Sequence, residues 1–202
     1  MKKISLLILF SLIIITFQIK TDEILILYFS RAGENAEVGE VQEGNTELIA
    51  NIIQEKLKCN IFKINPKKPY PSSYNETLIR AKNELDKDLR PEIDSPIGNL
   101  NQYTVIFLGF PTWYEHLPKI LVNQLEFLDM FDHYVFPFNT NEGSGFGKTL
   151  EDLKKFTKSK YIKNGFTIKG TEIRKDFNKI KTKILEWVKK SIDFVDNIHD
   201  EL

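Results

Sequence analysis

The chain has 202 residues, 42% of them hydrophobic, which is enough to build one domain with a full core. Its 28 Lys and Arg residues balance its 28 Asp and Glu residues, so no excess charge favours a nucleic-acid partner or a broad anionic surface. Cys59 is the only cysteine, which excludes an internal disulfide and a cysteine-based metal cluster.

The first predicted element is a targeting segment. Lys2 and Lys3 precede an apolar stretch over residues 4–19, an arrangement typical of a secretory signal peptide. We predict a signal peptide over residues 1–21. The stretch is slightly shorter than the roughly 20 apolar residues that span a bilayer, and without cleavage it would act as a membrane anchor.

A strand, a loop and a helix start follow. The apolar run of residues 24–29 ends at Ser30, as in a strand that is buried on both faces. A helical pattern begins after Gly44, where Asn45 or Thr46 can cap the first turn. The N-terminus of such a helix has unpaired N–H groups and a positive dipole end, which together suit a phosphate group.

The rest of the chain alternates strands and helices. Apolar runs predict strands over residues 60–64, 103–110, 133–138 and 161–168. Helical spacing predicts helices over residues 72–87, 118–128, 149–156 and 171–196. Alternation of this kind predicts an α/β fold in which right-handed crossovers build a parallel sheet covered on both faces.

Three loops that follow predicted strands carry unusual residues: 30–46, 111–118 and 139–147. In open parallel sheets, ligands bind beyond the carboxyl ends of the strands, so we expect the three loops to converge on one pocket. The first loop is longer than the usual two to six residues of a strand-to-helix connection. It offers hydroxyl, amide and backbone donors for a phosphate, and Arg31 is either a countercharge or a solvated surface residue.

The second loop contains Trp113 and Tyr114 between two prolines. These aromatic rings could face solvent, fill a corner of the core or form a wall for a flat heteroaromatic ring. His116 is either a proton donor or a hydrogen-bonding spacer. The third loop is rich in glycine, which lets the backbone approach a ligand closely, and its Asn, Thr and Ser side chains offer uncharged hydrogen bonds.

Segments of these loops resemble the flavodoxin-like family, in particular its short-chain, bacterial-type members with a lengthened first loop. The segments are residues 28–33 with 44–46, 109–114 and 142–145, and the resemblance covers about residues 24–187. It implies a flavodoxin-like three-layer sandwich with a five-stranded parallel sheet in the order 2-1-3-4-5, and an FMN cofactor. The chain departs from the family at Tyr114, where a second tryptophan is common, and at Asn141, where the third loop often has histidine.

The resemblance also implies which residues bind FMN. The phosphate is expected on Ser30, Arg31, Gly44, Asn45 and Thr46. The isoalloxazine ring is expected between Pro111, Thr112, Trp113 and Tyr114 on one side and Thr140, Asn141, Glu142, Gly143, Ser144 and Gly145 on the other. No catalytic side chain and no metal is predicted, because the flavin itself supplies the redox chemistry.

Two functions follow from this resemblance. One is an FMN-binding electron-transfer protein or small oxidoreductase of the NAD(P)H or quinone type, whose partner is a redox protein or a small-molecule acceptor. The alternative is a binding module that keeps the flavodoxin fold without redox activity.

The last four residues, 199–202, read HDEL, an address recognised by the retrieval receptor of the endoplasmic reticulum. Together with the entry signal it predicts a protein of the endoplasmic reticulum lumen. We therefore divide the chain into a signal peptide, a flavodoxin-like domain over residues 22–190 and a tail over residues 191–202. An uncleaved N-terminal segment would instead anchor the chain in the membrane.

Overall fold

The computed structural model of the protein describes residues 18–200. Most of the predicted signal peptide and the last two residues of the HDEL sequence lie outside the described residues. The strands are β1 (Ile24–Tyr28), β2 (Gly33–Asn35), β3 (Gly39–Val41), β4 (Asn60–Lys63), β5 (Val105–Pro111), β6 (Tyr134–Asn141), β7 (Tyr161–Ile162) and β8 (Phe166–Lys169). The helices are α1 (Asn45–Leu57), α2 (Tyr74–Asp86), α3 (Lys119–Glu126), α4 (Thr149–Thr157), α5 (Gly170–Lys175) and α6 (Phe177–Asp200).

The main sheet is parallel, with the order β4-β1-β5-β6-β7, and β8 also pairs with β6. The predicted order 2-1-3-4-5 is therefore confirmed, but the fifth strand is split in two. Tyr161 pairs with Tyr134 at the start of β6, whereas Phe166 pairs with Phe138 further along. The chain between them passes Gly165, where a Cβ atom would lie 2.7 Å from the Pro137 carbonyl oxygen.

The core consists of two layers on opposite faces of the sheet. Along β1, Ile24 and Ile26 join the layer under α1 and α6, whereas Leu25 and Leu27 join the layer under α3 and α4. This alternation follows from the two-residue period of a strand. All four side chains are fully or almost fully buried, as expected for a strand between two helical layers. The predicted α/β sandwich is thus confirmed.

Cys59 lies in the first of these layers. It is buried, and burial raises the pKa of its thiol to about 11. The side chain therefore behaves as a small apolar residue that remains protonated at neutral pH.

The predicted C-terminal helix is interrupted at Asp176 and extends further than expected. Asp176 leaves the helical conformation, and its Oδ1 accepts a hydrogen bond from the Lys179 amide, so it caps the start of α6. α6 then continues to Asp200 and places Val195 in the core. The helix thus passes residue 190, where we placed the domain boundary.

The segment before β1 packs on the end of α6. Ile19 is 6% exposed, and its amide donates to Oδ1 of Asp196 at 2.8 Å. Ile19, which we assigned to the signal peptide, thus packs against the domain. No helix among residues 18–200 has the length and apolar character needed to cross a membrane.

The close packing of β5 on β6 gives a test of the sheet. A Cβ atom at Gly109 would lie 2.2 Å from Cζ of the fully buried Phe138. We expect Gly109→Ala to lower the free energy of unfolding by about 2 kcal/mol, because an overpacked core must shift to admit the methyl group. Urea denaturation measures this change. Gly98→Ala is the control, since a Cβ atom there meets open space, and equal midpoints for the two variants would contradict the packing described.

Candidate functional site

A cavity of about 370 Å³ lies at the carboxyl ends of β1, β5 and β6. Its lining combines the ends of these strands with the β2–β3 hairpin, the first turn of α1 and one face of α2. The lining residues are Arg31, Asn35, Ala36, Asn45, Tyr74, Thr77, Leu78, Ala81, Pro111, Thr112, Trp113, Tyr114, Thr140, Asn141 and Glu142. The three loops therefore converge on one pocket, as the sequence predicts.

Most of the predicted site residues line this cavity. Those that do not are Ser30, Gly44, Thr46, Gly143, Ser144 and Gly145. The lining residues that we did not predict come from the hairpin and from α2: Asn35, Ala36, Tyr74, Thr77, Leu78 and Ala81. The unusual length of the first loop was the one sequence signal for the hairpin. Nothing in the sequence of α2 indicated that this helix lines the cavity.

The first turn of α1 is capped differently from the prediction. Gly44, rather than Asn45 or Thr46, is the N-cap residue, and it contributes no side chain. Instead, Oγ of Ser30 accepts the hydrogen bond from the Glu47 amide at 3.2 Å. A Cβ atom at Gly44 would lie 2.2 Å from this oxygen, so glycine allows β1 and α1 to meet.

Two backbone donors remain at this helix end. Within residues 18–200, the amides of Asn45 and Thr46 have no hydrogen-bond acceptor. These are the orphan N–H groups expected at a helix N-terminus, and both residues are buried. The Thr46 hydroxyl lies 2.8 Å from that of Thr140 and links the turn to the end of β6.

Arg31 holds the first loop together. Its Nη1 donates to the carbonyl oxygens of Pro71 and Ser72 at 2.9 and 3.1 Å, and its Nη2 donates to the carbonyl of Glu34. Burial lowers the pKa of Arg31 from its ordinary value. The hairpin is further tied to α2 because the Glu34 carboxylate accepts a hydrogen bond from the Tyr74 amide. These contacts favour a structural role for Arg31.

The second loop forms a tight hairpin turn from Trp113 to His116, closed by two backbone hydrogen bonds of 3.0 and 2.9 Å. Tyr114 and Glu115, at its centre, have φ angles of 49° and 66°, the conformation of a type I′ turn. The turn carries Tyr114 over the cavity, where its hydroxyl donates to the carbonyl of Leu78 at 3.1 Å.

Trp113 is both a cavity wall and part of the core. Its ring makes edge contacts with Phe29 and Tyr70, at centroid distances of 5.4 and 5.0 Å. The Tyr70 hydroxyl donates to the buried carboxylate of Glu84 at 2.7 Å, and burial, followed by the charge of Glu84, raises the pKa of Tyr70 well above its ordinary value. The Trp113 ring is thus held in place from behind.

His116 is not among the residues that line the cavity. Its Nδ1 lies 2.9 Å from Oδ2 of Asp152, and the same oxygen accepts a hydrogen bond from the Leu117 amide at 3.1 Å. The geometry favours the role of a spacer that fixes the end of the turn.

The third loop begins later than predicted. Asn139, Thr140 and Asn141 belong to β6, because they pair with Thr167, Ile168 and Lys169 of β8. The strand we ended at residue 138 therefore runs to residue 141.

A single side chain shapes the glycine-rich turn after β6. Oδ1 of Asn141 accepts hydrogen bonds from the amides of Gly143 and Gly145 at 2.8 and 3.1 Å. The Gly145 carbonyl accepts from Nδ2 of Asn139, whose own Oδ1 is buried without a partner among the described residues. The carboxylate of Glu142 accepts from the amide and hydroxyl of Thr171 at 3.0 and 2.8 Å, so it caps α5. Gly143 and Gly145 therefore form the turn after β6 and are not among the lining residues of the cavity.

In the part of the chain that the structure describes, no group of three or more His, Cys, Asp or Glu residues is arranged to hold a metal ion.

The comparisons with known proteins agree with this fold. A family model described as Flavodoxin matches residues 23–190. A protein of Bacteroides uniformis assigned as a flavoprotein has a TM-score of 0.63 and 22% identity, with 84% of this chain and 99% of that chain covered. One from Bacteroides eggerthii, also assigned as a flavoprotein, has a TM-score of 0.57 and 26% identity, with coverage of 77% and 96%. A Lactobacillus acidophilus flavoprotein in complex with FMN has a TM-score of 0.53 and 18% identity, with coverage of 78% and 99%. No curated protein matches the chain.

The left-handed turn of the second loop can be tested directly. A non-glycine residue in this conformation costs about 1–2 kcal/mol, part of which glycine recovers. We expect Glu115→Gly to raise the free energy of unfolding by about 0.5–1 kcal/mol in urea denaturation. Glu115→Ala is the matched control, because it removes the same carboxylate but keeps the Cβ atom and should bring no gain. Equal stabilities for the two variants would contradict the assigned turn.

Proposed function

Because the chain belongs to the flavodoxin family, we propose that it binds FMN in the cavity at the carboxyl ends of β1, β5 and β6 and serves in electron transfer. The observation that carries the proposal is the pairing of two features in one cavity: a helix N-terminus with free amides and an aromatic wall. The complex of the Lactobacillus acidophilus relative with FMN supports the same cofactor.

The first turn of α1 suits the phosphate of FMN. The free amides of Asn45 and Thr46 point to an acceptor that the protein itself does not supply. A helix N-terminus also stabilises negative charge through its dipole. Only glycine fits at position 44, because a Cβ atom there would lie 2.2 Å from Oγ of Ser30, so this turn lies directly against the end of β1.

The opposite part of the cavity suits a flat, weakly polar ring. Pro111, Trp113 and Tyr114 line it from the second loop, and Leu78 and Ala81 line it from α2. Their apolar surfaces would exclude water from the ring, and backbone groups at the end of β6 would hydrogen-bond to its edge. The two parts of the cavity therefore match the two parts of FMN: the first turn of α1 suits the phosphate, and the apolar wall suits the isoalloxazine ring.

When bound, FMN would supply the redox chemistry, and the protein would orient it and set its surroundings. Such a protein acts either as an electron shuttle or as a small oxidoreductase of the NAD(P)H or quinone type. In both cases its partner is a redox protein or a small-molecule acceptor. The cavity wall of Trp113 backed by Tyr70 provides a rigid contact for the ring, which an electron-transfer protein needs in both redox states.

Titration of the purified chain with FMN tests this proposal. We expect visible flavin absorption bands that remain with the protein and quenching of FMN fluorescence. In Trp113→Ala the dissociation free energy should fall by about 1–3 kcal/mol, because stacking on an aromatic ring contributes this much in comparable complexes.

The control is Phe127→Ala, which removes an exposed aromatic ring outside the cavity and should bind FMN normally. Circular dichroism shows whether both variants are folded. A folded, colourless protein that does not quench FMN would contradict the redox function and favour a flavodoxin-fold binding module.

Location in the lumen of the endoplasmic reticulum stays a prediction, because it depends on residues 1–21 and on the HDEL sequence of residues 199–202. We propose it on the pairing of these two signals. Deletion of Leu202 should release the protein into the medium, measured by immunoblotting of cells and medium. Glu186→Gln, an exposed change on α6, is the control that should be retained. Retention of both would contradict recognition by the retrieval receptor and point to a membrane anchor.

A further inference from the structure

Arg174 on α5 reaches the first turn of α1. Its Nε donates to Oδ1 of Asn45 at 2.6 Å, and its Nη2 donates to the carbonyl of Glu43. Asn45 lines the cavity, so Arg174 contacts the proposed phosphate end although 129 positions separate the two residues in the chain. Because Arg174 holds the amide oxygen of Asn45, the Nδ2 hydrogens of that side chain remain free to donate.

The start of α5 is built to lie close to this turn. A Cβ atom at Gly170 would lie 2.1 Å from Nδ2 of Asn45 and 2.7 Å from Oε1 of Glu142. Glycine at this position therefore lets α5 pack directly against the first turn of α1, and Arg174 follows one helical turn later.

The guanidinium of Arg174 has donors to spare. Arginine carries five N–H donors, and the two hydrogen bonds above use two of them. Within the described residues, its Nη1 has no acceptor and no carboxylate lies within 4 Å of it. A positive charge thus stands beside the N-terminus of α1, and the nearest acidic residue that acts on it, Glu43, lies beyond ion-pair distance.

Arg31, the other arginine at this end of the cavity, differs in this respect. Three backbone carbonyls occupy its guanidinium and fix the hairpin to the segment before α2. Arg31 therefore has a structural task and uses three of its five N–H donors on the backbone, whereas Arg174 uses only two.

The surroundings of the N-terminus of α1 are acidic, so a cation is needed for a phosphate to bind there. Glu43 precedes the first turn of α1, Glu47 lies within it, and Glu142 caps α5 nearby. Lys63 pairs with Glu47 at 2.7 Å, whereas neither Glu43 nor Glu142 has a basic group at ion-pair distance in the part of the chain described, and the charge of Glu43 acts on Arg174. A dianionic group at the helix N-terminus would be repelled by both carboxylates, and Arg174 offsets this repulsion.

We propose that Arg174 is a phosphate-binding residue, which donates its free N–H groups to the phosphate of FMN at the N-terminus of α1. The inference rests on the proposed FMN binding and adds that the site recognises the phosphate by charge, through a residue of α5, as well as by the neutral donors of the first loop. Riboflavin, which lacks the phosphate, gains nothing from this residue.

Fluorescence titrations of the wild-type chain and Arg174→Gln with FMN and with riboflavin test the proposal. We expect the variant to bind FMN about tenfold more weakly. This is the lower end of the loss expected for a hydrogen bond to a charged group, because the Arg174 side chain is exposed to solvent. Riboflavin affinity should stay within a factor of two. The salt dependence of FMN binding should also become shallower, since one charge contact is lost.

Two further variants separate charge from packing. Lys175→Gln removes the same charge from the next, exposed position of α5 and should leave both affinities unchanged. Arg174→Lys keeps the charge but not the planar fork, so it should recover part of the FMN affinity.

The remaining outcomes overturn the inference in distinguishable ways. An unchanged FMN affinity in Arg174→Gln, or an equal loss for FMN and riboflavin, refutes phosphate recognition by Arg174 and leaves FMN binding intact. A wild-type chain that binds neither flavin overturns both the inference and the proposed function.

Discussion

The candidate site depends on how closely the first turn of α1 can approach the end of β1. Gly44 sets this distance, because any Cβ atom there would overlap Oγ of Ser30. The approach lets Ser30 cap α1 from a neighbouring element, so the helix needs no capping side chain of its own. The amides of Asn45 and Thr46 are consequently left free at the edge of the sheet. The missing methyl group of Gly44 thus lets the helix N-terminus, which the sequence already marks as suited to an anion, present two free amides at the end of β1.

The sheet brings the other parts of the site to the same place. β1 is buried on both faces, and β5 and β6 pair with each other up to Pro111 and Thr140. Their ends therefore stand side by side, and the second and third loops begin at neighbouring points. The Thr46–Thr140 hydroxyl contact joins the phosphate end directly to the end of β6. The rigid part of the site is thus the part that the strands hold in register.

Much of this arrangement could be predicted from sequence, because local signals and the global fold agree. Apolar runs such as residues 105–110 indicate buried strands, and their alternation with helices leaves few topologies. The β2–β3 hairpin was missed because its strands have three residues each and expose Glu34 and Glu40 instead of showing an apolar alternation. The end of β6 was missed because Asn139 and Thr140 are polar, and they occupy buried strand positions only because they pair with β5 on one side and β8 on the other. The contribution of Arg174 depends on a contact across 129 positions, which no local pattern contains.

The cavity walls differ in how firmly they are held, and this difference follows from their contacts. Trp113 is fixed by two buried rings, one of which is itself hydrogen-bonded to Glu84. Tyr114, the next residue, is 40% exposed and meets α2 through one hydrogen bond, from its hydroxyl to the Leu78 carbonyl. Segments with few buried contacts and solvent-exposed hydrogen bonds open at the lowest free-energy cost. The rim at Tyr114 is therefore held less firmly than the wall at Trp113 beside it.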